Sequence, residues 1–140
     1  MKRTKSTTTK GGNLLIPALI FLFVILLFRI ILFLGVVPTS SMEPTLEEGQ
    51  IILGLRTGYS LEDGDIIVFR HNGILLVKRV SFSGGEPVPV SVDPRQLTVP
   101  EDCYYVLGDN PGNSDDSRSW QSPFVPASDI VAEVILPPSH

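Results

Sequence analysis

The chain is poor in the residues that build disulfide frameworks and metal sites. Its 140 residues include one cysteine and two histidines. Cys103 cannot form an internal disulfide, which excludes a disulfide-stapled fold. His71 and His140 are scattered, so the sequence predicts no metal site, and it indicates no other cofactor.

Basic residues are also scarce beyond the N-terminal segment. Residues 38–140 contain six basic residues and all 15 acidic ones, a net charge of −9. Domains that bind nucleic acid need a basic face. The acidic balance therefore argues against a nucleic-acid partner.

One long apolar run is present, at residues 13–37. Its 25 residues, with Arg29 the only charge, would form a helix about 37 Å long, against roughly 30 Å of bilayer hydrocarbon. A cleaved signal has a shorter apolar region and a small-residue cleavage site, unlike Val36-Val37-Pro38. The run thus predicts an uncleaved transmembrane anchor. Arg29 is explained either by snorkelling or by residues 30–37 lying in the outer interface.

The basic residues before the run set the predicted orientation. By the positive-inside rule, residues 1–12 form a cytoplasmic tail and residues 38–140 a domain outside the cytoplasm. We therefore expect a single-pass protein of the cell membrane, with the lipid bilayer as a partner. The basic residues of the tail are Lys2, Arg3, Lys5 and Lys10.

After Pro38, short apolar stretches are separated by Gly, Pro, Asp and Asn, which is typical of strands and turns. His71-Asn72-Gly73 is a hairpin signal. We predict a mainly β domain with a small, partly closed antiparallel sheet, barrel-like in form, following one N-terminal transmembrane helix. The candidate strands are Gln50–Gly54, Asp65–Arg70, Ile74–Ser81, Val88–Val92, Cys103–Leu107 and Ile130–Ile135.

The segment after the apolar run contains a candidate nucleophile, Ser41. A serine hydroxyl needs a neighbouring base to accept its proton, and neither histidine is placed for that task. Thr39, Ser40 and Thr45 lie close by in the sequence, so spacing alone does not identify the attacking group. The other interpretation is a helix cap or turn after a membrane helix.

Lys78 is the candidate base. In a strand it shares a face with Ile74 and Leu76, and burial there would lower its pKa toward neutrality. Two alternatives remain: a reversed register with Arg79 inward, or a salt bridge from Lys78 to Asp116.

The long segment Gly108–Ser128 is predicted to be an ordered loop without regular structure. It is rich in short hydrogen-bonding side chains and contains Trp120, unlike a disordered linker. Asp116 and Arg118 could pair and fix the loop, and Ser114 could orient Lys78. The alternative is a surface loop with a weak ion pair.

Taken together, four motifs resemble those of bacterial type I signal peptidases, also called leader peptidases. The nucleophile motif is similar to residues 38–46, Pro-Thr-Ser-Ser-Met-Glu-Pro-Thr-Leu, and a second box to Gly64–Phe69. The general-base box is similar to Val77–Val80, and the last box to Gly108–Arg118. These stretches occur in the family's order, after a segment that is placed like the family's anchor.

The resemblance implies a serine endopeptidase that removes signal peptides from exported preproteins after small residues, of the Ala-x-Ala type. Ser41 would be the nucleophile and Lys78 its general base. The Ser41 N–H and Thr39 would form the oxyanion hole, Ser114 would orient Lys78, and Asp116 with Arg118 would be a structural pair. The substrate would lie as an added strand along Val36, Val37, Pro38, Leu75, Leu76 and Val77.

Some positions depart from the family's pattern. Thr39 stands where the family usually has serine, Pro111-Gly112 where it has Arg-Asp, and Gln121 where it has glycine. Lys78 in place of histidine argues against the eukaryotic-reticulum and archaeal kind. Two alternative functions remain: a dedicated Ser/Lys maturation protease for a pilin or conjugation protein, and a non-enzymatic domain that binds exported peptides.

Overall fold

The computed structural model describes residues 13–58 and 60–137 as one α-helix and a seven-stranded antiparallel sheet. The predicted mainly β class is confirmed, and the predicted tail at residues 1–12 lies outside the described residues. The helix α1 spans Leu15–Ile30. The strands are β1 (Leu32–Val36), β2 (Ile51–Leu55), β3 (Ile66–His71), β4 (Ile74–Ser83), β5 (Cys103–Leu107), β6 (Phe124–Pro126) and β7 (Ile130–Leu136).

The apolar run does not form the single 25-residue helix that was expected. The helix α1 has 16 residues, none of them buried, and β1 follows it and pairs with β2 from Leu32–Leu55 to Val36–Ile51. Phe33 and Val37 pack into the core, so this end of the run finds its apolar partners within the domain. In the ranges 13–58 and 60–137 we find no helix with the length and hydropathy needed to cross a membrane.

The sheet is open, and the predicted partial closure is therefore wrong. Its strand order is β1-β2-β7-β3-β4-β5-β6, which leaves β1 at one edge and the three-residue β6 at the other. Side chains of β1 and β4 face each other across a cavity lined by Val36 and Leu75, among others. The two strands thus approach one another with space between them.

Five of the six predicted strands are confirmed as β2, β3, β4, β5 and β7. The prediction of a loop without regular structure over Gly108–Ser128 is wrong at its end, because Phe124–Pro126 pairs with β5 as β6. The prediction for Val88–Val92 is wrong, because Pro87 and Pro89 lack N–H donors and the Val92 N–H closes a turn on the Pro89 oxygen at 2.8 Å. The turn between β3 and β4 is confirmed. Asn72 and Gly73 there have φ of 48° and 83°, as a type I′ hairpin requires.

Two of the buried clusters position the site. One joins β1, β2, β3, β4 and β7, and it includes Met42 and Leu46 from the segment after β1. The second joins β3, β4, β5 and β6, and it includes Trp120 from the loop after β5. The segments on either side of the β4 face are therefore each anchored in the core.

Two adjacent isoleucines of β2 test this assignment of the core. Ile52 is 1% exposed and Ile51 is 66% exposed. We expect Ile52→Ala to lower the free energy of unfolding by about 2–5 kcal/mol, because it removes buried methyl groups and leaves a cavity. Ile51→Ala should change it by about 0.5 kcal/mol or less. Urea unfolding of both variants would measure the difference, and equal losses would contradict the assignment.

Candidate active site

Ser41 lies in a short 3-10 turn, Ser40–Met42, that follows β1. The next residue, Met42, is fully buried, as is Leu46, and the Leu46 N–H donates to the Met42 oxygen at 2.9 Å. Apolar burial on the C-terminal side and β1 on the N-terminal side hold the serine between them. Its hydroxyl is presented at the wall of a cavity.

Lys78 points into the protein from β4. It pairs with Ile67 of β3 and is only 3% exposed, whereas the side chain of Arg79 is 22% exposed. Arg79 binds Asp109 through both carboxylate oxygens at 2.9 and 2.6 Å. The register therefore places Lys78, and not Arg79, on the buried face.

Ser41 and Lys78 meet although they are 37 positions apart in the sequence. Lys78 Nζ lies 2.6 Å from Ser41 Oγ, within hydrogen-bond distance. Burial lowers the pKa of Lys78 from its ordinary value, because desolvation disfavours the ammonium form; Asp116 and Asp115 oppose that shift. A neutral amine at this distance can accept the proton of the serine hydroxyl.

Thr39 also contacts the serine. Its hydroxyl donates to Ser41 Oγ at 3.1 Å, and it lines the same cavity as Ser41 and Lys78. A hydroxyl beside the nucleophile is close to the point where an oxyanion would form. Its part in an oxyanion hole stays a prediction.

Asp116 and Arg118 of the long loop form an ion pair. Asp116 is 1% exposed and accepts from Arg118 Nε at 2.9 Å and Nη2 at 2.7 Å. The Gly108 N–H and the Ser114 hydroxyl also donate to it, at 2.9 and 2.7 Å. Burial opposes ionisation of Asp116, but these donors outweigh it and hold its pKa below its ordinary value. The ion-pair partner of Asp116 is thus Arg118, not Lys78.

Ser114 stands near the lysine, but its hydrogen bond runs to Asp116. It lines the same cavity as Lys78. An orienting role toward Lys78 stays a prediction.

The loop touches the serine segment directly. The Asn110 N–H donates to the Ser41 oxygen at 3.0 Å, and Asn110 Nδ2 donates to the Ser40 oxygen at 3.1 Å. Gly108 allows this approach, because a Cβ there would lie 2.1 Å from Ser114 Oγ and 2.6 Å from the Ser41 oxygen. The turn Pro111–Asn113, where the chain departs from the family's pattern, brings the Asn113 amide onto the Ser40 hydroxyl.

Two cavities flank β4. The larger has a volume of about 740 Å³, and β4 contributes Ile74, Leu76 and Lys78 to its lining. The smaller, of about 360 Å³, takes Leu75 and Val77 from β4 and otherwise consists of apolar residues of β1, β2, β3 and Pro38. Of the predicted substrate residues, Val36, Pro38, Leu75 and Val77 line the smaller cavity, Pro38 and Leu76 line the larger, and Val37 is buried in the core.

Sequence reasoning missed several contacts at the edge of the site. Asp109 pairs with Arg79, and His71 stacks on Trp120 with ring centroids 4.0 Å apart. The only available signal was strand alternation, which places Arg79 on the face opposite Lys78. Among the described residues no group of three or more His, Cys, Asp or Glu side chains could hold a metal ion.

Comparison with known proteins gives one family. The family model described as signal peptidase, peptidase S26, matches residues 10–96 and 90–138. This confirms the resemblance inferred from the four motifs.

Several curated relatives agree. A probable signal peptidase I-2 of Synechocystis sp. is 31% identical over 132 residues, covering 71% of this chain and 60% of the relative. Thylakoidal processing peptidase 1, chloroplastic, of Arabidopsis thaliana is 27% identical over 143 residues, or 74% of this chain and 42% of the relative. Signal peptidase I of Pseudomonas aeruginosa is 25% identical over 158 residues, with coverages of 64% and 56%. The chain thus spans 60% or less of the length of these three relatives.

Because Asp116 is buried and ionised, we expect the protein to lose stability in acid. Because the pKa of Asp116 in the folded state lies below its ordinary value of 3.8, the unfolded state binds more protons as the pH falls. The contribution of Asp116 to the free energy of unfolding should therefore be constant above about pH 5 and decrease below about pH 4. Urea unfolding at a series of pH values would measure this.

The matched variants are Asp116→Asn and, at an exposed position, Asp129→Asn. Asp116→Asn should lower the free energy of unfolding at neutral pH, because the ionised partner of Arg118 is gone. It should also make the decrease of that free energy below about pH 4 shallower. The second should leave both unchanged. An acid limb of the same depth in Asp116→Asn and the intact chain would contradict the assignment.

Proposed function

This chain belongs to the signal peptidase family, peptidase S26, and we propose that it is a serine endopeptidase in which Ser41 and Lys78 form the catalytic dyad. The main support is the 2.6 Å separation of Lys78 Nζ from Ser41 Oγ, combined with burial that lowers the pKa of the lysine. A serine with a base at this distance can act as a nucleophile. Signal peptides of exported preproteins are the proposed substrates.

The proposed reaction proceeds through an acyl-enzyme. Ser41 Oγ attacks the scissile carbonyl carbon while Lys78 Nζ takes the hydroxyl proton. The C–N bond then breaks, and Lys78 returns that proton to the leaving amine. Water next attacks the ester, giving its proton to Lys78; the C–O bond to Ser41 breaks, and Oγ is reprotonated. In both halves the Ser41 N–H and the Thr39 hydroxyl would stabilise the oxyanion.

The proposed substrate segment lies as an extended strand in the space between β1 and β4. β1 is an edge strand. Residues 74–78 of β4 pair with β3, while pairing with β5 begins at Arg79. A strand bound there would send alternate side chains into the two cavities that flank β4. The smaller cavity is apolar, which suits small residues of the Ala-x-Ala type.

We also propose that the protein is held at a membrane with the catalytic domain outside the cytoplasm. Supporting this, most large apolar side chains of α1 are exposed, which is costly in water and favourable in lipid. The basic residues before α1 favour the cytoplasmic side for the N-terminus.

The roles of the dyad are tested by cleavage of a preprotein in detergent or liposomes. The intact chain should release mature-length product, and Ser41→Ala and Lys78→Ala should lose it by at least about 10³-fold. The matched control is Ser40→Ala, since the Ser40 hydroxyl is bound by Asn113; this variant should remain active. Each variant should keep the circular dichroism of the intact chain.

The other outcomes separate the remaining alternatives. Product from the Lys78 variant would contradict its role as base. Cleavage of a pilin or conjugation protein, with general preproteins left uncut, would indicate a narrow maturation protease. If the intact chain and the variants all bind the preprotein and none of them cleaves it, the chain would be a peptide-binding domain.

The pH dependence tests the lysine separately. Only the neutral amine can accept the serine proton, and burial places the pKa of Lys78 below its ordinary value of 10.5. We therefore expect kcat to rise with pH and level off before pH 10.5. Single-turnover cleavage between pH 5 and pH 10 would measure this. A flat profile over that range would contradict Lys78 as the base.

A further inference from the structure

The connection between β4 and β5 carries an ion pair that the proposed mechanism does not use, between the buried Asp93 and Arg95, whose side chain is 34% exposed. Asp93 is 1% exposed. Arg95 Nε donates to both of its carboxylate oxygens, at 2.8 and 3.1 Å, and Arg95 Nη2 also binds it. The Tyr105 hydroxyl donates to the same carboxylate at 2.7 Å. We call Asp93, Arg95 and Tyr105 the Arg95 clamp.

The Asp93 carboxylate of the clamp is held in its ionised form. The hydrogen bonds from Arg95 hold the pKa of Asp93 well below its usual range, and the Tyr105 hydroxyl adds to that effect. Desolvation, together with the Asp93 carboxylate, raises the pKa of Tyr105, so the phenol remains a donor. The guanidinium is therefore held in one orientation by a permanent charge pair and a buried phenol.

The remaining donors of Arg95 face the loop that carries Ser114. Nη1 donates to the Trp120 oxygen at 2.8 Å. Nη2 donates to the Ser117 oxygen at 2.6 Å and to the Arg118 oxygen at 3.3 Å. One side chain thus binds three backbone carbonyls within four consecutive residues. A planar guanidinium can satisfy acceptors on two sides at once, which a lysine ammonium cannot do with the same geometry.

The bound carbonyls adjoin the groups nearest the dyad. Ser117 follows Asp116, which binds Ser114 and the Gly108 N–H. Trp120 lines the larger cavity, together with Ser41, Lys78 and Ser114. The loop is also bonded to β5 through Ser117. The Ser117 hydroxyl accepts a hydrogen bond from the Val106 N–H, and the Ser117 N–H donates to the Val106 oxygen.

We propose that Arg95 is a positioning residue, which holds the loop of Ser114, Asp116 and Trp120 against the Ser41–Lys78 dyad. This inference rests on the proposed peptidase function. It assigns a role to the segment between β4 and β5 that the four motifs do not cover. Displacement of a catalytic wall by about 1 Å can cost about 10²-fold in rate, so release of three carbonyls should be visible in kcat.

The experiment compares Arg95→Met with Val88→Ala in the full chain. Val88 is buried in the same connection and packs in a cluster with Tyr105, so we expect its truncation to destabilise this region without removing any group that Arg95 binds. Preprotein cleavage gives kcat and KM, thermal unfolding gives the loss of stability, and hydrogen exchange follows residues 108–121. Measurements are made well below the unfolding temperature of each variant.

We expect Arg95→Met to lower kcat about 10- to 100-fold with KM changed less than about three-fold, and to raise exchange across residues 108–121. Val88→Ala should keep kcat within about two-fold of the intact chain. Arg95→Lys, which keeps the charge but not the fork, should give an intermediate kcat. This graded rescue separates positioning from a general loss of stability.

The opposite results are equally distinct. An unchanged kcat in folded Arg95→Met, or an equal loss in Val88→Ala, would overturn the proposal. If Arg95→Met does not fold, Arg95→Lys decides: an unchanged kcat overturns the proposal, and a loss of about ten-fold supports it. If the intact chain shows no Ser41-dependent cleavage, the peptidase function and the clamp proposal both fail.

Discussion

The site depends on one desolvated amine. Lys78 lies on a strand whose neighbours exclude water, and its pKa falls because the ammonium loses hydration that nearby carboxylates do not fully replace. The same burial brings Nζ to 2.6 Å from Ser41 Oγ. If Lys78 were on the exposed face of β4, it would remain charged and out of reach. The fold therefore buries Lys78 itself, while the rest of this face of β4, Ile74 and Leu76, lines the larger cavity.

Two segments complete the wall around that face, and each is held from a different side. The serine segment is anchored by Met42 and Leu46 in the core. The loop after β5 is held by its own ion pair, Asp116 with Arg118, and by Arg95 from outside. Apart from one short 3-10 turn in each, neither segment is a helix or a strand, so side-chain bonds replace the backbone ladder that keeps a strand in place. This explains why so many short polar side chains gather between residues 108 and 120.

Much of the fold was predictable because alternating apolar residues and turn signals are local properties. β3, β4 and their Asn72-Gly73 turn follow from them. The end of the apolar run was not predictable: Leu32–Val36 is as apolar as α1, and periodicity alone does not separate a buried strand from a helix. The predicted strand Val88–Val92 was wrong for the opposite reason. Its β-branched residues favoured a strand, but Pro87 and Pro89 have no backbone N–H to donate to a neighbouring strand.

The order of the residues alone specifies which chemical groups are available: a serine after an apolar run, a lysine in an apolar strand, and a polar loop with an acid and an arginine two residues apart. These are properties of composition and spacing. Three further outcomes required the folded chain: Lys78 and not Arg79 is buried, Asp116 pairs with Arg118, and Arg95 reaches three carbonyls of the loop. Those outcomes depend on register and on contacts between residues distant in sequence, because desolvation and hydrogen bonding are set by what packs against a side chain.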